Sequence, residues 1–482
     1  MISIKSIINI IGILLIIESF FIILCIPVSL YYGDGDLPAF IQTGIIVLLI
    51  GLVLWFFTRK TKISVTKREG FIIVSLVWII FSLFGSLPFW LSKSIPSFTD
   101  AFFETISGFT TTGASILDDI ETMPRGLLLW RSMTQWMGGM GIIVLSLAVL
   151  PVLGIGGMQL FVAEMPGPTK DKIHPRVKQT ARRLWGIYML FTGIEIVLLY
   201  IGGMSFFDSV CHSLTTMATG GYSTKQASIA HFGSAYIEYV IILFMFIAGT
   251  NFTLSYFAMH LRFNKIWKNE EFRFYFGLVM FFSLITGTGL FLSGNYSFEE
   301  SYRTGAFQVV SIITTTGYVT SDYLLWIPLL TILIFVLMFF GGSAGSTGGG
   351  IKIIRIMLIL KNSYLELKRL IYPNAVIPVR LNNKPISQHI IGNVLAFVFI
   401  YVFIIVISVV VISSMGYDME TSFGAAAASL GNIGPGMGMV GPVENFAHFP
   451  DPGKWFLSFL MLLGRLELFT VLILFAPSFW RK

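Results

Sequence analysis

The chain has 482 residues, of which 55% are hydrophobic and only 12% are charged, and its formal net charge is +7. A soluble domain carries about 25% charged residues, so the composition excludes most soluble enzyme folds and indicates an integral membrane protein. A basic soluble protein would suggest a nucleic-acid ligand, but in a membrane protein basic cytoplasmic loops explain the excess of Lys and Arg. We therefore expect no nucleic-acid partner.

Ten apolar segments are long enough to cross a bilayer, which takes about 20 residues per helix. They cover residues 8–30, 38–57, 70–92, 126–153, 181–204, 233–259, 274–294, 325–360, 389–414 and 454–478. The first segment is too long for the core of a signal peptide and is interpreted as a retained span. The eighth is too long for one span and is interrupted by glycines.

Basic residues predict the orientation of these spans. With the N-terminus inside, the alternating segments place 25 of the 32 Lys and Arg residues on the cytoplasmic side. This asymmetry predicts two cytoplasmic termini and an even number of spans. The inside segments 163–183 and 352–385 are basic and the longest; topology alone explains their charge, and they are also candidates for contact with anionic membrane lipid.

Four of the outside segments are half-apolar and rich in Gly and Thr. They read FFETISGFTTTGAS (102–115), CHSLTTMATGGYST (211–224), FQVVSIITTTGYVT (307–320) and GAAAASLGNIGPGM (424–437). Aligned on one glycine each, they are 108, 96 and 117 residues apart, which indicates a fourfold repeat of span, half-helix, loop and span. The predicted units are 1–66 for two lead-in helices and 67–165, 166–268, 269–370 and 371–482 for the four repeats.

Each repeat contains a helical stretch of 10–12 residues, which is too short to span and fits a half-helix that dips into the membrane. In the first two repeats it opens near Asp100 and Asp208, and a negative charge is stabilising at a helix N-terminus. The aligned Thr304 and Thr421 predict uncharged caps in the other two repeats. The expected fold is an all-α polytopic membrane protein, with two lead-in helices and four pseudo-symmetric helix–half-helix–filter loop–helix units around one pore.

Four equivalent loops can surround one axis. Irregular backbone at membrane depth is tolerated only where protein buries it or where it lines water. Rings of backbone carbonyls replace the hydration shell of a monovalent cation, and glycine supplies the unusual backbone angles that aim successive carbonyls at one axis. A common loop composition would explain one Thr-Thr-Gly, but four glycine-centred loops at matching places between spans favour a pore.

The four loops resemble the selectivity filters of the Trk/Ktr/HKT superfamily of potassium transporters, and the resemblance is closest to the bacterial TrkH branch. Further similar segments are WRSMTQWMGGMGI (130–142), LPVLGIGGMQLF (150–161), GGSAGSTGGGIK (341–352), ELKRLIYPNAV (366–376) and GRLELFT (464–470). The resemblance covers essentially the whole chain. It implies potassium uptake across the bacterial plasma (inner) membrane, with no enzymatic activity and no organic cofactor. It also implies a homodimer and a cytosolic ring of nucleotide-binding, TrkA-like regulatory subunits.

The resemblance implies that potassium ions bind at the filter loops. The candidate residues are Thr111, Thr112 and Gly113, then Thr219, Gly220 and Gly221, then Thr315, Thr316 and Gly317, and finally Asn432, Ile433 and Gly434. Glycine at position 113 implies potassium selectivity, because serine at this place goes with sodium transport in the plant branch. The fourth loop departs from the threonine pattern, so we expect a filter without strict fourfold symmetry.

Residues 341–350 contain six glycines and interrupt the eighth apolar segment. Close helix packing would explain one G-x-x-x-G, and the register is wrong for a P-loop because Ile351 separates Gly350 from Lys352. An unwound stretch that lines water fits better, and the resemblance implies an intramembrane gate beneath the filter. The candidate gating residues are Gly345, Ser346, Thr347, Gly348, Gly349, Gly350, Lys352 and Arg465.

Arg465 lies near the middle of the tenth apolar segment, where burying a charge costs on the order of 3 kcal/mol or more. A structural ion pair, with Glu195 or Glu18, would explain it. The resemblance implies instead a cation that faces the pore and slows permeation. Glu467 is two residues further on and on a different helix face, so we do not expect it to be the partner.

The alternative function is an ion-coupled secondary carrier with broken helices at the midplane and with Glu195 or Glu238 as the coupling site. Such carriers usually contain two inverted repeats, whereas the four repeats here run in one orientation. His212 falls in the second half-helix without a second metal ligand nearby. We identify no catalytic constellation.

Overall fold

The computed structural model of the protein describes residues 3–60, 66–144, 177–375 and 377–481. The chain begins with a helical hairpin in which α1 (Ile4–Ile23) and α2 (Ile26–Tyr32) form one span and α3 (Leu37–Thr58) returns beside it. The hairpin crosses at two glycines: a Cβ on Gly12 would lie 3.0 Å from the carbonyl oxygen of Gly51. Small residues allow such close backbone approach within a membrane.

Four helical units follow the hairpin. The first contains α4 (Lys67–Gly85), α5 (Leu87–Leu91), α6 (Phe98–Phe109) and α7 (Arg125–Val144). The second contains α8 (Val177–Ile201), α9 (Phe206–Met217), α10 (Ala235–Ala248), α11 (Phe252–Met259) and α12 (Phe263–Trp267). The third contains α13 (Glu270–Leu292), α14 (Phe298–Ile313), α15 (Pro328–Leu337) and α16 (Ile353–Ile371).

The fourth unit is preceded by the short antiparallel strands β1 (Arg380–Leu381) and β2 (Lys384–Pro385). It contains α17 (Gln388–Ser413), α18 (Met419–Gly431), α19 (Asp451–Arg465), α20 (Phe469–Leu472) and α21 (Pro477–Trp480). Single 3₁₀ turns occur at Ser228–Phe232, Tyr323–Leu325, Gly438–Val440 and Ile473–Phe475.

This order confirms the predicted fold of two lead-in helices and four units. We call α6, α9, α14 and α18 half-helices 1 to 4. Among the described residues, six helices are long and apolar enough to cross a membrane, and two bent pairs of helices raise the number to eight. The protein is therefore a multi-pass membrane protein. Of the predicted span 126–153, the part beyond Val144 lies outside the described residues.

Two predicted spans are bent rather than continuous. The sixth turns by 112° between Ala248 and Phe252, and the last turns by 110° between Arg465 and Phe469. At the second bend both Glu467 and Leu468 adopt positive φ angles, of 54° and 51°. Two consecutive left-handed residues cannot continue a right-handed helix.

Half-helices 1 and 2 begin as the sequence predicts. Ser97 and Ser205 are their N-caps, and each side-chain oxygen accepts a hydrogen bond from the backbone N–H of the third helical residue, at 3.3 Å and 3.0 Å. That third residue is Asp100 in one case and Asp208 in the other. An acidic residue therefore lies in the first turn of both half-helices, where it is stabilised by the helix dipole.

The prediction that Thr304 and Thr421 cap half-helices 3 and 4 is wrong, although the cap of half-helix 3 is uncharged as expected. Half-helix 3 has 16 residues instead of 12 and is capped by Ser297, so that Thr304 lies inside the helix. Half-helix 4 is capped by Asp418, whose Oδ1 accepts from the backbone N–H of Thr421 at 3.2 Å. Acidic residues occupy the first turn of these two helices as well. Alignment from the glycine backwards misplaces the start of half-helix 3 because this helix is longer. In half-helix 4 the aligned Thr421 is the third helical residue, as Asp100 is in half-helix 1, and the cap lies three positions earlier.

Candidate functional site

The loop that follows each half-helix has the same backbone conformation. In every loop the aligned glycine and the residue two positions before it have positive φ. The angles are 52° and 82° at Thr111 and Gly113, 53° and 75° at Thr219 and Gly221, 59° and 79° at Thr315 and Gly317, and 53° and 98° at Asn432 and Gly434. Threonine rarely adopts positive φ. Such strain persists only where the surroundings enforce it, and it concentrates at functional sites.

The four loops meet in a closed ring. A Cβ on each aligned glycine would point at the carbonyl oxygen of the residue that precedes the glycine in the next loop. The pairs are Gly113 with Gly220, Gly221 with Thr316, Gly317 with Ile433, and Gly434 with Thr112. The ring therefore runs from loop 1 through loops 2, 3 and 4 back to loop 1 around one axis. The structure brings all twelve residues of the predicted filter together.

A cavity of about 90 Å³ opens on one side of this ring, and all four aligned glycines line it. Its wall also contains the charged residues Arg131, Lys225 and Glu444. The cavity gives polar access to the loops from this side. The opposite side of the ring is covered by protein.

That cover is the glycine-rich loop between α15 and α16. The hydroxyl of Thr347 donates to the carbonyl of Met217 at 3.1 Å and lies 3.2 Å from the hydroxyl of Thr219. The backbone N–H of Gly349 donates to the hydroxyl of Thr315 at 2.7 Å. Both Thr219 and Thr315 are the positive-φ residues of their filter loops. The glycine-rich loop therefore lies directly against the ring.

Two buried cations hold the glycine-rich loop. Arg465 donates through Nη1 to the carbonyl of Thr347 at 2.8 Å and through Nη2 to the carbonyl of Gly138 at 2.9 Å. Lys352 donates through Nζ to the carbonyl of Gly348. In a medium of low dielectric constant, a fixed cation raises the electrostatic energy of any cation that approaches it. The predicted gating residues thus lie together beneath the ring.

Carboxylates complete the surroundings of the glycine-rich loop. Oε1 of Glu271, near the start of α13, accepts from the backbone N–H of Ala344 at 2.6 Å. Glu467 forms an ion pair with Arg355 of α16. Neither contact is predicted from the sequence. They join residues that are 73 and 112 positions apart, and no short motif signals such a pair.

The roles of an ion pair and of a glutamine that lie behind the ring are likewise not predicted from the sequence. Glu104 of half-helix 1 forms a buried ion pair with Arg131 of α7. Gln135, one turn further along α7, donates to the carbonyl of Gly220 at 2.6 Å. Charged side chains at membrane depth mark functional sites by default, so the charge of Glu104 and Arg131 was an available signal. Nothing distinguishes Gln135 in the sequence.

None of the remaining candidates lines the cavity at the ring. Glu238 forms an ion pair with Arg303 of half-helix 3, at 2.5 Å. His212 is buried, with Nδ1 2.8 Å from the carbonyl of Asp208 and Nε2 3.0 Å from the hydroxyl of Ser223. Glu18 and Glu195 are fully buried on α1 and α8.

The chain is similar to known proteins in sequence and in fold. Residues 36–482 match the TrkH family model, which is described as a cation transport protein. Relatives from Salmonella typhimurium and Escherichia coli, both called Trk system potassium uptake protein TrkH, are each 43% identical over 482 residues, with 99% of this chain and 99% of each relative covered. The crystal structure of the potassium transporter TrkH from Vibrio parahaemolyticus is similar in fold, with a TM-score of 0.89 and 38% sequence identity. The match covers 99% of this chain and 100% of that chain.

Proposed function

The chain belongs to the TrkH family of cation transport proteins, and on that basis we propose that it takes up potassium ions through the ring of four filter loops. The observation that carries the proposal is the closure of that ring, in which each aligned glycine faces a carbonyl oxygen of the next loop. Converging carbonyls are the groups that replace the water around a potassium ion. Transport of this kind forms and breaks no covalent bond.

Potassium is the cargo, and its proposed ligands are backbone carbonyls of the two residues that precede each aligned glycine. These are Thr111 and Thr112, Thr219 and Gly220, Thr315 and Thr316, and Asn432 and Ile433. The cavity lined by the four glycines is the proposed outer entrance. The C-terminal ends of the half-helices point their partial negative charge towards the ring and favour a cation there.

We propose that the glycine-rich loop is the gate. It lies against Thr219 and Thr315 of the ring and is bound by Arg465 and Lys352 from beneath. An ion that leaves the ring must pass this loop. Release of its hydrogen bonds to Arg465 would let glycine-rich backbone move aside, because glycine has the widest range of backbone angles.

We infer the cellular setting from the family and from the charge distribution. The protein lies in the bacterial plasma membrane with both termini in the cytoplasm, because the basic residues cluster on one side of the alternating spans. The membrane potential drives uptake and supplies about 2.3 kcal/mol per charge per 100 mV. The relatives' name, Trk system, supports a cytosolic nucleotide-binding regulatory subunit, and the family supports a homodimer.

Flux in liposomes that contain only this protein tests the proposal. The liposomes are loaded with potassium, diluted into low-potassium buffer, and supplied with rubidium-86. We expect rubidium to enter without a sodium or proton gradient. Entry that requires such a gradient would support the coupled carrier instead. The Arg465→Gln variant is measured in parallel, so that a closed gate is not mistaken for the absence of a pore.

A further inference from the structure

We propose that Gln135 is a positioning residue for the second filter loop, in which its side-chain amide takes the place of the side chain that Gly220 lacks. The inference rests on the proposed filter function and adds to it a residue from outside the four loops. It arises from a difference between the loops at one aligned position, the residue immediately before the glycine.

At this position loops 1 and 3 both carry threonine. The hydroxyl of Thr112 lies 2.8 Å from that of Thr110, and the hydroxyl of Thr316 lies 2.8 Å from that of Thr314. Each threonine thus bonds back to the end of its own half-helix and fixes the loop behind the ring. Loop 4 fills the same position with the buried side chain of Ile433. Loop 2 has glycine here and supplies no side chain of its own.

Gln135 fills that space from α7. Its Nε2 donates to the carbonyl oxygen of Gly220 at 2.6 Å, and its Oε1 accepts from the backbone N–H of Tyr222 at 3.1 Å. A carbonyl only accepts and a backbone N–H only donates, so these two partners fix which end of the amide faces which group. Gln135 is fully buried. The amide therefore holds the backbone on both sides of Gly221.

The fit between the amide and the glycine is steric as well as polar. A Cβ on Gly220 would overlap the amide carbon of Gln135 and would lie 2.7 Å from Nε2. The amide thus occupies the volume in which a side chain at position 220 would begin. Gly220 itself does not have positive φ, so its backbone could carry a threonine if the glutamine were shortened.

The hydrogen bond from Gln135 to Gly220 acts on the ring at the boundary between loops 1 and 2. The carbonyl of Gly220 is the group that Gly113 faces, and the hydrogen bond from Gln135 sets its orientation. In loops 1 and 3 the residue at this position carries its own threonine hydroxyl, and that of Thr112 also accepts from Nδ2 of Asn432 in loop 4 at 2.9 Å. Loop 2 depends on a residue 85 positions away in the chain.

Three variants test this assignment: Gln135→Ala, Gly220→Thr, and the double variant. Each is measured for rubidium-86 uptake with sodium as competitor. We expect each single substitution to lower the preference for rubidium over sodium about tenfold, because one removes a hydrogen bond to a ring carbonyl and the other creates an overlap. We expect the double variant, in which the shortened residue 135 leaves room for a threonine at position 220, to recover part of that preference. Recovery stays partial because Ala218 stands where loops 1 and 3 carry Thr110 and Thr314, the hydroxyl partners of their threonines.

If Gln135 had a purely structural role, the double variant would not recover. Its two destabilising substitutions would then leave the preference for rubidium as low as in the worse single variant. That result overturns the proposal. Gln135→Met serves as a second, volume-conserving variant, for which we expect reduced selectivity in a protein that still unfolds in one cooperative thermal transition. Wild-type selectivity in Gln135→Met would also overturn the proposal. Absence of rubidium flux or preference in both the wild type and the Arg465→Gln variant would contradict the proposed function itself, whatever the Gln135 and Gly220 variants do.

Discussion

Glu104 and Arg131 form an ion pair inside the helical bundle, with 2.6 Å between Oε1 of the glutamate and Nε of the arginine, and their side chains are 0% and 3% exposed. Oε2 of Glu104 accepts from the backbone N–H of Ile116 at 3.0 Å, and Nη1 of Arg131 donates to the carbonyl of Ser223 at 2.9 Å. Ile116 follows filter loop 1 and Ser223 follows filter loop 2. The pair therefore joins the two segments that leave the ring at this boundary.

Neutralising one member of this pair should destabilise the protein strongly. We expect Glu104→Gln to lower stability by about 3 kcal/mol or more, because it leaves the charge of Arg131 buried without its counter-charge. The melting temperature of the detergent-solubilised protein measures the effect. The matched control is Glu299→Gln, which breaks the exposed pair with Arg303 and should cost at most about 1 kcal/mol. Equal shifts for the two variants would contradict the prediction.

Replacing the first aligned glycine should reduce ion selectivity. In Gly113→Ser the new Cβ overlaps the carbonyl oxygen of Gly220, and the residue must hold a φ of 82°. We expect the preference for rubidium over sodium to fall about tenfold, equivalent to about 1.4 kcal/mol. The control is Gly294→Ser, which has a similar φ of 76° and no atom within 4 Å of its Cβ position. A matching loss of selectivity in the control would show that backbone strain alone is responsible.

The sequence predicts the ring better than it predicts what holds the ring in place. The aligned glycines were found because a positive φ is a local requirement that glycine satisfies best, so the same need recurs visibly in each repeat. The start of half-helix 3 was misplaced because helix length is not fixed by the loop that follows. Its true signal, Ser297 followed by Glu299 and Glu300, was present in the sequence.

Contacts between residues that are far apart in the chain are the part of the site that the sequence does not predict. The sequence suggests the carboxylates of Glu195 and Glu18 as partners of Arg465, whereas in the structure its guanidinium donates to the carbonyl oxygens of Thr347 and Gly138. Every residue carries a backbone carbonyl, so no residue type marks such an acceptor. The pairing of Gln135 with Gly220 is hidden for the same reason.

Removal of the positive charge at Arg465 should increase flux. The guanidinium binds a carbonyl of the glycine-rich loop and a carbonyl of α7, and hydrogen bonds from a charged donor contribute roughly 1.5–3 kcal/mol each. We expect Arg465→Gln to raise basal rubidium uptake into liposomes roughly tenfold or more, since it both frees the loop and lowers the barrier to a passing cation. Arg481→Gln at the exposed C-terminal end controls for the loss of one basic residue. Unchanged or reduced uptake in Arg465→Gln would contradict the gating role.

Variants of Glu271 distinguish the effect of its hydrogen bond on the glycine-rich loop from the effect of its negative charge. Its Oε1 accepts from the backbone N–H of Ala344, and glutamine keeps an acceptor at this place whereas leucine does not. We expect Glu271→Gln to retain basal rubidium flux within about twofold, because a neutral hydrogen bond contributes about 1 kcal/mol. We expect Glu271→Leu to raise it severalfold, because the loop loses this anchor and the N–H of Ala344 is left buried without an acceptor. If both variants raise flux equally, the negative charge rather than the hydrogen bond holds the loop, and Lys352 of the same loop becomes the residue through which Glu271 acts.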